Sequence, residues 1–411
     1  MPQRAASRPA NIAVLSGFYA PEVAGIGPYS AELAEALAAK GHAVRVIAAF
    51  PFYPEWRARV PPRTLLYRTE RRGGVCVTRC RVYVPRNPRP GRRLAHEVSW
   101  MFAVAPLLAR LAWWADVWFV VTPSFGSAVL GALLARGLGA RVHLHVQDVV
   151  PDVALESGHL RPGLANWLAR ALAGWTYRSF RSISALGEPM AARLARYGNG
   201  GRGTAVIAPN WVRNRSPTHA RLPESLAGRP YAVYAGSFGK KQDLAMLVEA
   251  AHLLSARDGP VIAVLGDGPG RDVVERAGSR LVWLGLVDDA TYGAVLHHAL
   301  AGIVALAPGV GDSVVPSKLA GYLGAGRPVV VAADAESEAA RVVARAKCGV
   351  TVPPGRPDLL ADALCRLGAD RAAREAFGAS GLAYADAQWR KDVIVGRIET
   401  VLLALSARRR T

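Results

Sequence analysis

Apolar and polar positions alternate in two registers along this chain. Short apolar runs read as strands: NIAVLSG from Asn11, AVRVIAAF from Ala43, GVCVTRCRVYV from Gly74, ADVWFVV from Ala115, ARVHLHV from Ala140 and SISA from Ser182. Helical stretches such as PYSAELAEALAAKG (28–41) lie between them. Apolar runs separated by helices predict a parallel sheet covered on both faces. The scheme then repeats. YAVYAGS (231–237) leads into DLAMLVEAAHLLSA, where Leu244, Leu247, Val248, Ala251 and Leu254 recur at helical spacing. VIAVLGDG, RLVWLG, AGIVAL and PVVVA supply further strands. Between the halves, PNWVRNRSPTHARLPESLAGRP (209–230) lacks apolar periodicity and reads as a linker. The expectation is an α/β protein of two doubly wound, Rossmann-like domains, 1–214 and 215–388, with a cleft between them. A closing amphipathic helix in 389–411 is expected to pack back toward the first domain. Ligands of such sheets bind beyond the carboxyl ends of the strands.

Composition narrows the class. The chain has 411 residues, 51% of them hydrophobic and 20% charged, as in a globular protein. Its four cysteines, Cys76, Cys80, Cys348 and Cys365, show no zinc-ligand spacing and read as reduced thiols of a cytoplasmic protein. The first ten residues contain no apolar core of a signal peptide. The most apolar segment, VSWMFAVAPLLARLAWWADVWFVV, is cut by Pro106, Arg110 and Asp116, so no transmembrane helix is expected. The net charge is +20, and residues 1–110 carry 17 Lys or Arg against 6 Asp or Glu. Three sources fit that charge: an overall arginine-rich composition, an anionic membrane face, and nucleic acid. No recognised nucleic-acid module accompanies it, so nucleic acid ranks last. Arg86, Arg89, Arg92 and Arg93 precede a helix carrying Trp100, Phe102, Trp113 and Trp114, and basic plus aromatic residues suit a membrane interface, although the apolar positions also suit a core.

The candidate chemistry lies in glycine-bearing turns after strands. Gly25 and Gly27 precede a helix whose Pro28 suits its first turn. Ser30 stands where a dinucleotide fingerprint needs its third glycine, which leaves a phosphate-approaching loop or a structural turn. After YAVYAG, SFGKKQ places Lys240 or Lys241 at the ligand end of the second sheet, where lysine acts as a point charge on a diphosphate. GDGPG and a PSK before a short helix follow, with Ser317 as a candidate cap.

Taken in order, GFYAPEVAGIGPYSAELAEALAAKGHAVRVI, PFYPEW, LHVQDVVPD, APNW, YAGSFGKKQDL, GDGP and VVPSKLAGYLGAGRPV resemble family 4 of the retaining glycosyltransferases of GT-B fold. Within it they are most similar to the colanic-acid-type transferases of bacterial surface polysaccharide. The resemblance implies a nucleotide-sugar donor (UDP- or GDP-sugar) on the C-terminal domain, an acceptor on the N-terminal domain, no cofactor and no obligatory metal. It places the donor lysine on Lys241 and puts Ser237 where many members carry an arginine. Gly25 and Gly27 fall on the loop near the donor phosphates, and Gly266, Asp267, Gly268 and Pro269 on the turn passing base and sugar. Lys240, Pro316, Ser317 and Lys318 join the donor set. Two family glutamates are replaced by Ser313 and Gly321. Glu338 is then either a ribose partner or a helix-start carboxylate stabilised by the dipole. Many members have a histidine where Gln147 stands before Asp148. His145 and Asp148, with Lys241, are the candidate catalytic residues, and a structural role for His145 at the sheet end stays open. The implied reaction is sugar transfer to a lipid-linked saccharide at the inner face of the cytoplasmic membrane. A sugar-nucleotide epimerase on the same scaffold is the alternative.

Overall fold

The structure is a computed structural model and describes residues 8–22, 25–53, 55–61, 63–150, 163–199, 205–213, 221–239, 241–309 and 317–407. The chain divides into two compact units, residues 1–208 with 395–411, and residues 209–394.

The first unit is built on β1 (Asn11–Ser16), β2 (Ala43–Ala49), β3 (Tyr67–Arg72), β4 (Val75–Cys80), β5 (Val117–Val121), β6 (Val142–Val146), β7 (Ser182–Ala185) and β8 (Val206–Ile207). They form one sheet in the order β3-β4-β2-β1-β5-β6-β7-β8. All pairs are parallel except β3 with β4. Central runs such as VWFVV are buried on both faces, which is why they carry no alternation. The helices are α1 (Gly27–Ala39), α2 (Pro90–Ala112), α3 (Phe125–Gly137), α4 (Leu164–Arg178) and α5 (Glu188–Leu194). The crossover through α1 runs toward β2, whereas those through α2, α3 and α4 run toward β8. Right-handed connections therefore place α1 on one face and α2, α3 and α4 side by side on the other. α2 indeed packs on α3, and α3 on α4.

The second unit holds β9 (Tyr231–Ala235), β10 (Val261–Leu265), β11 (Leu281–Gly285), β12 (Gly302–Ala305), β13 (Val329–Ala332) and β14 (Gly349–Val352) in the parallel order β11-β10-β9-β12-β13-β14. Its helices are α6 (Leu244–Ser255), α7 (Arg271–Glu275), α8 (Asp289–His298), α9 (Ser317–Gly324), α10 (Glu338–Ala346), α11 (Pro357–Ala369), α12 (Arg371–Gln388) and α13 (Lys391–Ala407), the last running on into the first unit. Successive strand residues feed two separate apolar clusters: Val233, Val304 and Val331 on one face, and Tyr234, Ile303 and Val330 on the other. The linker is less empty than its composition suggests. Trp211 and Val212 are buried, and the Val212 N–H donates to the Trp389 carbonyl at 3.0 Å. Residues 214–220 of the linker lie outside the described residues.

The strand order reverses at β1/β5 and at β9/β12, and the turns beyond those strand ends carry the sequence motifs. Among the described residues, no helix is long and apolar enough to cross a membrane. Within the first unit, Glu399 on α13 accepts a hydrogen bond from Lys40 and pairs with His42 Nε2 at 3.1 Å. The other His42 nitrogen, Nδ1, accepts from the Ala10 N–H, so Nε2 carries the proton toward Glu399. The His42 side chain is 1% exposed. Replacing Glu399 with Ala strands a buried imidazole N–H. It should cost about 1–3 kcal/mol, read as a lowered urea midpoint at unchanged slope.

Candidate functional site

In the second unit, the turn after β9 and the turn after β10 are interlocked through their backbones. The Gly236 N–H donates to the Leu265 carbonyl (2.9 Å), the Phe238 N–H to the Asp267 carbonyl (3.0 Å) and the Gly270 N–H to the Phe238 carbonyl (2.8 Å). Gly266 has φ +137°, and a Cβ there would stand 1.9 Å from the Gly236 oxygen. Gly268 has φ +151°, with the Phe238 nitrogen 2.9 Å from its Cβ position. Only glycine fits either place. Asp267 Oδ1 accepts the Gly268 N–H at 2.7 Å, its Oδ2 lies 3.8 Å from Arg271, and Pro269 completes the turn. The Trp283 Nε1–H donates to the Gly266 carbonyl at 3.0 Å, and the Arg271 guanidinium lies 4.6 Å over the Trp283 ring. Neither residue was singled out from sequence, since both stand outside the glycine motif.

Two lysines of this unit, Lys241 and Lys318, lie at the same strand ends. Lys241 is half-buried at the end of the turn, and its carbonyl accepts the Ala307 N–H at 3.1 Å. Lys240 and Pro316 lie outside the described residues, as does the Ser317 side chain; Ser317 is the first residue of α9 rather than a residue before it. Lys318 follows. Its Nζ donates to Gln242 Oε1 at 2.6 Å and sits 4.2 Å over the Tyr234 ring, while the Tyr234 hydroxyl donates to the same Oε1 at 3.2 Å. Among the described residues, no carboxylate pairs with Lys318. Desolvation pushes its ammonium down to about 7. The ammonium rests against Gly236, 3.0 Å from the place of a Cβ, and the exposed Ser237 comes next. Glu338 is buried at the start of α10, with Oε2 3.9 Å from Arg345.

In the first unit, Gly25 has φ +65° and Gly27 opens α1. A Cβ on Gly27 would stand 3.2 Å from the Glu22 Cβ. Glu22 is the residue that sequence reasoning missed in this loop. It is buried, and its Oε1 accepts the Phe52 N–H (2.9 Å) and the Tyr53 N–H (3.0 Å), tying the glycine loop to the segment after β2. Burial raises its carboxyl despite those donors. A lone acidic residue inside an apolar loop was the available signal.

Beyond β6, Gln147 and Asp148 are half-buried. Upstream of them runs one continuous chain of hydrogen bonds: Ser182 Oγ to His143 Nδ1 (2.8 Å), His143 Nε2 to Ser184 Oγ (2.8 Å), Ser184 Oγ to His145 Nδ1 (2.7 Å), and His145 Nε2 to Gln147 Nε2 (2.6 Å). Burial pushes His145 down to about 4 and His143 lower still. Both rings are neutral at physiological pH. This corrects His145 as a catalytic base: both its nitrogens are taken, and its basicity is far below the range useful near neutrality. It orients Gln147 instead. Ser184 has one proton for two imidazoles, so the chain has a direction. With the Gln147 amide N–H donating to His145 Nε2, both histidines carry their protons on Nδ1.

Trp100 is the second correction. It is 2% exposed and its Nε1–H donates to Ser127 Oγ at 2.9 Å, so it cements α2 to α3 and faces no membrane. His96, Trp100 and Val104 form the inward stripe of α2, and Leu94, Val98 and Phe102 form an exposed one on the opposite side. Arg86, Arg89, Arg92 and Arg93 are all exposed, with the Arg93 guanidinium 5.4 Å over the Trp56 ring.

A Gln147→Glu substitution places an obligate acceptor at the end of the chain. It should move the proton of both histidines from Nδ1 to Nε2, as read by nitrogen-15 NMR of the imidazoles. Unchanged tautomers would contradict the directional chain.

The comparisons with known proteins agree with this architecture. A model described as "Glycosyl transferase 4-like domain" matches residues 24–211, and one described as "Glycosyl transferases group 1" matches residues 229–370. A protein of Escherichia coli (strain K12) named as a colanic acid biosynthesis glycosyl transferase, WcaI, is 32% identical over 344 residues, covering 78% of this chain and 82% of its own. Two solved structures share the fold. One is sucrose-phosphate synthase from Thermosynechococcus elongatus, at 17% identity and TM-score 0.73, covering 97% of this chain and 100% of its own. The other is Anabaena Alr3699/HepE in complex with UDP, at 14% identity and TM-score 0.67, covering 96% and 100%. With both halves matched in order and a relative this similar across most of its length, the chain belongs to the family 4 glycosyltransferases of GT-B fold.

Proposed function

We propose that this glycosyltransferase moves a hexosyl or deoxyhexosyl group, with retention at the anomeric carbon, from a nucleoside-diphosphate sugar to a lipid-linked saccharide in surface polysaccharide synthesis, at the inner face of the cytoplasmic membrane. The observation that carries the reading is Lys318: a desolvated ammonium held by a neutral amide and an aromatic ring, beside a turn of bare backbone. Such a cation gains most from an incoming anion, because its own surroundings supply no negative partner among the described residues. The UDP in the Alr3699/HepE complex is the kind of ligand that fits, and UDP or GDP is the expected leaving group.

In this reading Lys241 and Lys318 take the charge that grows on the departing diphosphate, which is where fixed cations and N–H groups lower a barrier most. Lys318 stands in for the arginine missing at Ser237. Lys240, Pro316 and Ser317 complete the phosphate side. Gly266, Asp267, Gly268 and Pro269 form the turn that passes base and sugar, and Glu338 is offered to the ribose. These side chains hold the leaving group without a metal or cofactor. The first unit takes the acceptor. There the Gly25–Gly27 loop, held by Glu22, is offered to the donor phosphates. Gln147 and Asp148 meet the reacting hydroxyls, with Asp148 or the leaving phosphate taking the proton. Arg86, Arg89, Arg92 and Arg93 face the anionic carrier and its membrane.

Incubation with UDP- and GDP-sugars and a lipid-linked saccharide tests this. The expected outcome is free nucleoside diphosphate in step with product, and a product anomer matching the donor by proton NMR. Lys241→Ala should lower turnover about 10²-fold, the usual effect of deleting one such stabilising donor. An isomerised sugar nucleotide with no nucleotide released would mark an epimerase. An inverted anomer, or full turnover by Lys241→Ala, would overturn the mechanism.

A further inference from the structure

The helical layer on one face of the first sheet presents apolar side chains outward as well as inward. On α2 the outward stripe is Leu94, Val98 and Phe102, the last 77% exposed. On α4 a second stripe, Leu164, Trp167, Leu168 and Leu172, recurs at i, i+3, i+4 and i+8, with Trp167 65% exposed. Leu133 of α3, half-exposed, stands on the helix between them. A helix that covers a sheet normally shows charge on its outer side. Three adjacent helices that break this rule put apolar side chains on the same outer layer, and exposed apolar surface of that kind marks an interaction site.

The charge on the same helices says what covers it. They carry Arg92, Arg93, Arg110, Arg136, Arg170 and Arg178, all exposed, against one acidic residue, Glu97. Glu97 is turned toward the protein. Its Oε2 accepts from the Ser124 hydroxyl and from the Gly126 N–H, both at 2.8 Å. The outward face is thus arginine and hydrocarbon with almost no negative charge. A protein partner with a matching acidic surface would leave Phe102 and Trp167 without a hydrocarbon phase to enter. An anionic bilayer supplies both: phosphates for the guanidinium groups and an acyl boundary for the rings.

We infer that the outward face of α2, α3 and α4 is a docking surface for an anionic lipid bilayer, with Trp167 and Leu168 of α4 as a hydrophobic anchor beside Phe102. The inference extends the lipid-linked acceptor reading and rests on it only for why the protein works at a membrane. The surface chemistry stands independently of donor, sugar and linkage. α4 is the element that sequence reading passed over, because its stripe is indistinguishable from a core stripe until the sheet is seen to cover its other side.

Co-sedimentation of the full chain with vesicles of phosphatidylglycerol and phosphatidylcholine tests it. The protein should partition onto the anionic vesicles with a blue-shifted tryptophan emission, and at least ten-fold less onto pure phosphatidylcholine. A Trp167→Glu/Leu168→Glu double variant should lose at least ten-fold in partitioning and a Phe102→Glu variant should lose less. Stabilisation of both by UDP or GDP should match the parent, which shows them folded and keeps the donor reading separate. Equal partitioning of parent and double variant would overturn the inference. So would a parent dimer, seen by analytical ultracentrifugation, that the same substitutions dissolve, since the face would then cover a second copy of this chain.

Discussion

The close approach of two backbone turns at the ends of β9 and β10 sets the shape of the second unit's strand ends. Gly266 and Gly268 lie so near Gly236 and Phe238 that a methyl group at either place would overlap backbone atoms. The approach gives three turn-to-turn hydrogen bonds and removes the side chains that would otherwise roof the strand ends. What is left is polar backbone, with the Tyr234 hydroxyl and Gln242 fixed beneath it and the Lys318 ammonium laid against Gly236. Among the described residues no carboxylate meets that ammonium, and one amide oxygen and one ring face share it instead. In the proposed function an incoming anion would gain from the same arrangement, since desolvation of the ammonium is imposed by the fold rather than by the ligand.

The first unit handles buried polarity differently. Its ligand end is organised by neutral hydrogen-bonded groups. Ser182, His143, Ser184, His145 and Gln147 form one chain through the sheet, and burial keeps both imidazoles uncharged. A neutral chain avoids the desolvation cost of an ion pair and still fixes a direction, since each group can give only the proton it holds. Glu22 does comparable work for the glycine loop through two backbone N–H groups. Together these place Gln147, Asp148 and the start of α1 with little freedom.

Much of this was legible in the residues. Fully apolar runs such as VWFVV and VIAVL could only be central strands, and the glycines of GDGPG marked a backbone approach. β3 was not legible. YRTERR is almost wholly polar because it is an edge strand, antiparallel to β4 and exposed, so period and apolarity say nothing there. β8 is two residues long. The linker misled by composition: Trp211 and Val212 sit among Pro, Arg and Asn in sequence but are buried. On α2, two apolar stripes lie two residues apart, and nothing in the helical period says which turns inward. Trp100 took the inward one and Phe102 the outward one. His145 was ambiguous for a related reason, since a strand alternates faces without revealing that Ser182 and Ser184 wait on the neighbouring strand.

The central claim, that interlocked glycine turns create the site for a nucleoside diphosphate, is tested most directly by calorimetric titration of UDP and GDP into Gly266→Ala, with Gly355→Ala as control. Both positions have positive φ, but a Cβ at Gly355 meets nothing within 4 Å, while at Gly266 it overlaps the Gly236 carbonyl. The account predicts that Gly266→Ala loses at least tenfold in affinity, about 1.4 kcal/mol or more, and that Gly355→Ala binds like the parent. Undiminished binding by a folded Gly266→Ala protein would contradict it.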